Sequence, residues 1–192
     1  MHKLAGIGMA AGATGATGAG VFYFKPWEKG ISVKQGLQQL NRTILDSSSD
    51  SRWEVKVHSY NTNISKHPNL KISNKNTITK EDLSSWCSET LGKDNSEDLH
   101  NKAKAWCLAP SVKDKLAKEG KTILTDLATK LQSYKGHNTN DNKVIPVTQT
   151  ENKEKAKLEA GDFKKWCSTY SEVELMEGTD ENYGRIVHWC TT

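Results

Sequence analysis

The sequence predicts a mostly α-helical protein: an N-terminal transmembrane helix, then a small helical body of two Trp-Cys helical-hairpin units with long polar loops. Three observations predict it. Residues 4–24, LAGIGMAAGATGATGAGVFYF, carry no charge, with Lys3 before them and Lys25 after. At about 1.5 Å of rise per residue a helix of that length reaches roughly 31 Å, enough to cross a hydrocarbon core of about 30 Å. All four cysteines follow a tryptophan. Beyond residue 30, apolar residues recur at spacings of three and four, the period of one helix face.

The apolar span is built from small residues. It holds six Gly, six Ala and two Thr, and only Leu4, Ile7, Met9, Val21, Phe22, Tyr23 and Phe24 are bulky. Three readings compete: an uncleaved signal anchor, a cleaved signal peptide with a site near residues 16–20, and a Gly/Ala tail that never inserts. Tyr23, Phe24, Lys25 and Trp27 favour the anchor, because amphipathic rings and lysines settle at the membrane–water boundary. Small residues four apart, Gly8, Gly12, Ala16 and Gly20, share a face on which two helices can approach closely, or arise by chance in a Gly/Ala-rich run. Orientation is contested. Lys25, Lys29 and Lys34 outnumber Lys3 and favour the body inside, whereas a three-residue head before an apolar segment behaves as a signal sequence and sends the body outside.

The cysteines tip that balance outward. Trp86-Cys87 and Trp106-Cys107 lie 20 residues apart, Trp166-Cys167 and Trp189-Cys190 lie 23 apart, and 60 separate the two sets. DLSSWCS (82–88) matches DFKKWCS (162–168), so the arrangement reads as an internal duplication. Disulfides Cys87–Cys107 and Cys167–Cys190 would each staple one hairpin, contribute roughly 3 kcal/mol in the chain-entropy model, and require an oxidising exterior. Buried free thiols are the plainer alternative. A four-Cys metal site is the third, without the CxxC spacing that would make it specific. Trp53, Trp86, Trp106, Trp166 and Trp189 are expected in the core. Apolar residues make up 35 % of the chain, so that core is thin and bracing matters.

Along the body, residues 32–45 read as an amphipathic helix through Val33, Leu37, Leu40 and Ile44, with Ser32 as N-cap. Residues 52–60 fit a strand or a helix; the Ser51–Glu54 spacing of a capping box leans it to helix. Residues 61–77 form a Lys/Asn-rich loop. Thr79 and Asp82 start the first Trp-Cys helix, with Leu83, Trp86, Cys87 and Leu91 inward, and Gly92 ends it. Residues 96–107 form the second, along Leu99, Ala103, Trp106 and Cys107. Helices follow at 112–119 and 122–134, the latter with Ile123, Leu124, Leu127 and Leu131 inward. Residues 136–155 lack a core-forming period and read as a flexible polar linker. The third Trp-Cys helix spans 156–170. The last spans 180–190 behind Gly178-Thr179, with Tyr183, Ile186, Val187 and Cys190 inward. The predicted organisation is therefore an anchor or signal segment at 1–25, a helical region at 26–135, the linker at 136–155 and the second Trp-Cys unit at 156–192.

Charge is uneven. Residues 25–80 hold ten basic and four acidic residues, a net of +6, whereas 81–192 net −3. The basic part follows the span, so it either rests on anionic headgroups, at on the order of 1 kcal/mol per basic residue, or forms an ordinary solvated surface. No dense basic stripe interleaved with aromatics is present, so nucleic acid is not an expected partner. Neither is there a P-loop, GxGxxG, GxSxG, HExxH or CxxC. His188 and Cys190 stand two apart, a spacing that faces them different ways on a helix. No catalytic residues, cofactor or metal are expected, and the chain is not expected to be an enzyme.

The span 4–24, SRWEVKVHSY (51–60), the Trp-Cys sites and VKDKLAKEGKTIL (112–124) resemble short, uncharacterised paralogous proteins of haemotropic mycoplasmas, over most of the chain. The resemblance implies a membrane-tethered surface protein of a wall-less bacterium, from a family expected to present variable antigen. It brings no catalytic residues with it. The expectation is a single-pass protein of the cell membrane with its body outside, touching the bilayer and host or surface proteins. The alternative is an inward-facing, membrane-associated binding module with free thiols.

Overall fold

The computed structural model describes residues 30–138 and 141–192. The predicted span and its interface residues Tyr23, Phe24, Lys25 and Trp27 lie outside the described residues. No helix among the described residues is long and apolar enough to cross a membrane. They form eight α-helices, three 3₁₀ turns and no strand, only isolated bridges.

α1 (Val33–Gln38) is capped by Ser32 and Gln35, each side chain bonded to the other's backbone NH. It is much shorter than the predicted 32–45. The chain turns at Asn41, whose φ of 51° is left-handed, and Ile44 then lies antiparallel to Leu108. The apolar spacing of Leu40 and Ile44 is thus satisfied by an extended segment packed on the core. α2 (Arg52–Asn63) is helical, and it takes residues 61–63 from the predicted loop. Its expected Ser51 cap does not form; Asp50 accepts the Arg52 NH instead, at 2.8 Å. α3 (Lys80–Leu91) carries the Thr79–Asp82 capping box and α4 (Glu97–Trp106) is capped by Ser96.

α5 (Val112–Lys118) starts at a Ser111–Asp114 box. α6 (Ala128–Gly136) begins six residues later than the sequence predicts, because Ile123 bridges Thr191 and the chain bends at Thr125 before the helix starts. α7 (Ala160–Ser171) begins at a Glu159–Asp162 box, after a 3₁₀ turn at Lys155–Lys157. α8 (Glu181–Cys190) is capped by Asp180; Gly178 ahead of it supplies a left-handed turn at φ 77°.

The duplication reaches further than two hairpins. α1–α4 and α5–α8 are two copies of one four-helix unit. Val33 NH donates to the Lys93 carbonyl and Val112 NH to that of Val173, both at 3.0 Å. Asn95 NH donates to Ile31 at 2.9 Å, and Leu175 NH to Pro110 at 2.8 Å. Leu45 NH donates to Cys107 at 2.8 Å, and Leu124 NH to Cys190 at 2.9 Å. Each unit buries its own core, one running from Val33 to Ala109 and the other from Val112 to Cys190. Val55 on α2 joins the second core, because α2 packs against α5 and couples the units.

Candidate functional site

Both predicted cysteine pairs are disulfides. Cys87–Cys107 ties α3 to the end of α4 with Cα atoms 5.6 Å apart, and Cys167–Cys190 ties α7 to α8 at 5.8 Å. No cysteine among the described residues is free, so Cys190 has no thiol to pair with His188. All four are buried.

Beside each bridge sits a two-ring clamp. The Trp106 indole NH donates to the Leu70 carbonyl at 2.8 Å, and that of Trp189 to Lys143 at 2.6 Å. Tyr60 meets Trp106 edge-on with centroids 5.0 Å apart, and Tyr134 meets Trp189 at 5.1 Å. The Tyr60 hydroxyl accepts the Ile72 NH at 3.4 Å and the Tyr134 hydroxyl the Ile145 NH at 3.1 Å. Burial pushes the Tyr134 phenol up, although the hydrogen bond it accepts from the Ile145 NH opposes this. An indole NH and a phenol each need a polar partner once buried, and both find it in loop backbone.

Of the predicted core tryptophans, Trp53, Trp106, Trp166 and Trp189 are buried. Trp86 is not; it packs half-exposed on the edge of the first core. Its counterpart Trp166 is covered by the 3₁₀ turn Val147–Thr150, where Gln149 accepts the indole NH at 3.1 Å. The first unit's shorter loop, 64–79 against 137–159, lays its only 3₁₀ turn, Pro68–Leu70, on α4 instead.

These two loops are held, not loose. In the first, Asn61 bonds both NH and carbonyl of Ile78 at 2.9 and 3.1 Å. In the second, Ile145 and Thr150 are buried, and Ile145 joins the second unit's core, so this part of the predicted linker packs on that unit. The sequence hid this because a single isoleucine in a polar run has no period.

The joint between the units holds buried charge. Arg52 forks onto Asp50, with Nη2 at 2.7 Å, and its Nη1 donates to the Leu175 carbonyl across the joint at 3.1 Å. Burial raises the Asp50 carboxyl, but the Arg52 hydrogen bonds outweigh it and hold the group below its ordinary value. Lys56 is buried, its Nζ 2.7 Å from the Ala105 carbonyl, and desolvation pushes it down to about 8. Lys118 pairs with Glu54 at 2.7 Å, and Tyr183 donates to Glu119. A cleft of about 170 Å³ remains there, between Arg52, Lys115, Lys118, Glu119 and Met176. Sequence reasoning missed Asp50, Arg52 and Lys56: only the packing of the second unit on α2 buries them.

A second recess of about 190 Å³ runs beside Tyr170, between Gln149, Glu151, Asp162 and Lys165. Its charges are already matched, Lys165 with Glu151 and Asp162 with Lys153. No three His, Cys, Asp or Glu among the described residues gather to hold a metal ion. What the arrangement does is brace: covalent staples and ring clamps hold two polar loops against two small cores. No family model, curated protein or solved structure matches the chain.

Proposed function

We propose that this chain is a membrane-tethered surface protein whose stapled helical units display loops 64–79 and 137–159 for contact with host or surface proteins, or as antigen. The observation that carries this reading is one buried disulfide in each unit. Such bonds persist where the surroundings oxidise, and cytosolic thiol systems reduce them. The apolar residues 4–24 supply the tether and place the body outside as a signal anchor.

The test is thiol labelling of intact cells with a membrane-impermeant maleimide, before and after reduction, read by mass spectrometry. Labelling only after reduction, with the Cys87–Cys107 and Cys167–Cys190 peptides linked beforehand, is the expected result. Four thiols that label without reduction, and only after lysis, would instead indicate an inward-facing module.

A further inference from the structure

The two units share a frame but differ in the charge of the loop it holds. The loop 137–159 contains four lysines and four carboxylates. Lys153 pairs with Asp162 and Lys157 with Glu154, while His137 meets Asp141. The corresponding loop leads through 64–79 to Lys80 at the start of α3. It carries Lys66, Lys71, Lys75 and Lys80, and the sequence holds no carboxylate from Val55 to Lys80. Among the described residues none of these four lysines forms a salt bridge, although the charge of Lys75 acts on Asp82 and that of Lys80 on Asp50 and Glu54. Lys66, His67 and Lys75 are exposed, and Lys71 and Lys80 half-exposed. Clamping by Tyr60, Asn61 and Trp106 holds the loop backbone, so little ordering entropy is lost when the patch meets a flat surface.

We infer that this patch docks the first unit on the anionic headgroups of the bilayer that holds the protein, laying that unit down on the membrane and leaving 137–159 as the loop that faces outward. The inference rests on the tether proposed above. Only five residues, 25–29, separate the apolar span from the start of the described body. Fully extended they reach at most about 18 Å, so the first unit cannot leave the neighbourhood of the headgroups. Each lysine that comes within a Debye length of an anionic leaflet adds roughly a fivefold factor to association, and the attraction is screened by salt. A free acidic polysaccharide would meet the same charges but has no tether to concentrate it.

The test reconstitutes the full chain in vesicles of phosphatidylcholine alone or with phosphatidylglycerol, and reads lysine acetylation by mass spectrometry. Lys66, Lys71, Lys75 and Lys80 are expected to react about fivefold more slowly or less in the anionic vesicles at about 0.05 M salt, and equally in both at about 0.5 M. Lys143, Lys153, Lys155 and Lys157 are expected to react alike throughout. Equal acetylation of the four loop lysines in both vesicle types overturns the inference, as does their protection by soluble dextran sulfate but not by anionic vesicles. Flotation separates the two readings. A chain that fails to float with neutral vesicles has lost the tether, whereas one that floats with both but shows no protection has lost only the docking surface.

Discussion

Replacing Cys87 and Cys107 together by alanine removes a cross-link that closes 20 residues of chain. In the chain-entropy model the freed unfolded chain gains about 3 kcal/mol. The Cys167–Cys190 bridge closes 23 residues. Because the contribution grows only with the logarithm of loop length, its loss differs from the first by about 0.1 kcal/mol. Both bridges are buried, so the small void left by alanine adds on the order of 1 kcal/mol in each case. Each double variant is therefore expected to lose about 4 kcal/mol. Against a total near 5–15 kcal/mol for an ordinary domain, one loss takes a large share, and both, about 8 kcal/mol together, unfold a protein in the lower part of that range. Urea unfolding of the full chain in detergent, followed by tryptophan fluorescence and far-UV circular dichroism, measures it. The ratio is the sharper quantity, since equivalent sites in a repeated unit predict near equality. A cost below about 1 kcal/mol for either pair, or a large cost for one alone, would refute the reasoning.

Asp50→Asn leaves the Arg52 guanidinium buried without its carboxylate, and is expected to cost about 3–5 kcal/mol at pH 7. The Asp50 pKa lies below its unfolded value of about 3.9, so its contribution is complete above that value and fades as pH falls through the folded pKa. The gap between wild type and variant should therefore narrow below about pH 4 in urea unfolding; a constant gap sinks the assignment. Lys56 has the opposite consequence. Its folded pKa of about 8 lies below the ordinary 10.5, so the folded state gains stability between those values and loses it as pH falls back through about 8. At about 1.4 kcal/mol per unit the rise is about 3 kcal/mol, present in wild type and missing in Lys56→Met; parallel stability curves would contradict it. Tyr60→Phe and Tyr134→Phe each strip the hydroxyl that accepts a loop NH, and each should cost about 1–3 kcal/mol by denaturant midpoint. A cost confined to one of them would mean that the two clamps are not equivalent.

Capping chemistry and Trp-Cys spacing carried most of what was legible in the sequence. The Thr79–Asp82 box and the start of α5 follow from patterns that act within one turn, and both disulfides match the first of the three readings that the Trp-Cys spacing offered. Where the reading failed, a partner distant in sequence had intervened. Leu40 and Ile44 have helical spacing, yet Ile44 is claimed by Leu108 as an extended neighbour; Ile123 is claimed by Thr191 in the same way. Trp86 has the sequence context of Trp166 but lacks the turn that buries it. The joint lay wholly out of reach, because nothing local marks Lys56 as different from an exposed lysine on α2.

The pairing of a repeated frame with unequal loops bears on display. The carbonyl taken by Trp106 or Trp189 and the NH two residues on, bonded to Tyr60 or Tyr134, correspond in the two loops; the carbonyl that each phenol donates to does not, Lys75 in one and Ile145 in the other. Between those points the loops differ in length, in their 3₁₀ turns and in charge: 64–79 carries no carboxylate, and 137–159 neutralises itself. Backbone groups make the clamps' loop-side contacts, so a substitution in the loop leaves them standing. The disulfides sit behind the clamps and restrain the unfolded chain whatever the loop sequence is. A fold arranged this way separates the groups that determine stability from the exposed side chains of the loops. Exposed residues on these loops can then change with little cost to the core, whereas Ile64, Ile78, Ile145 and Leu158 are buried in it and cannot.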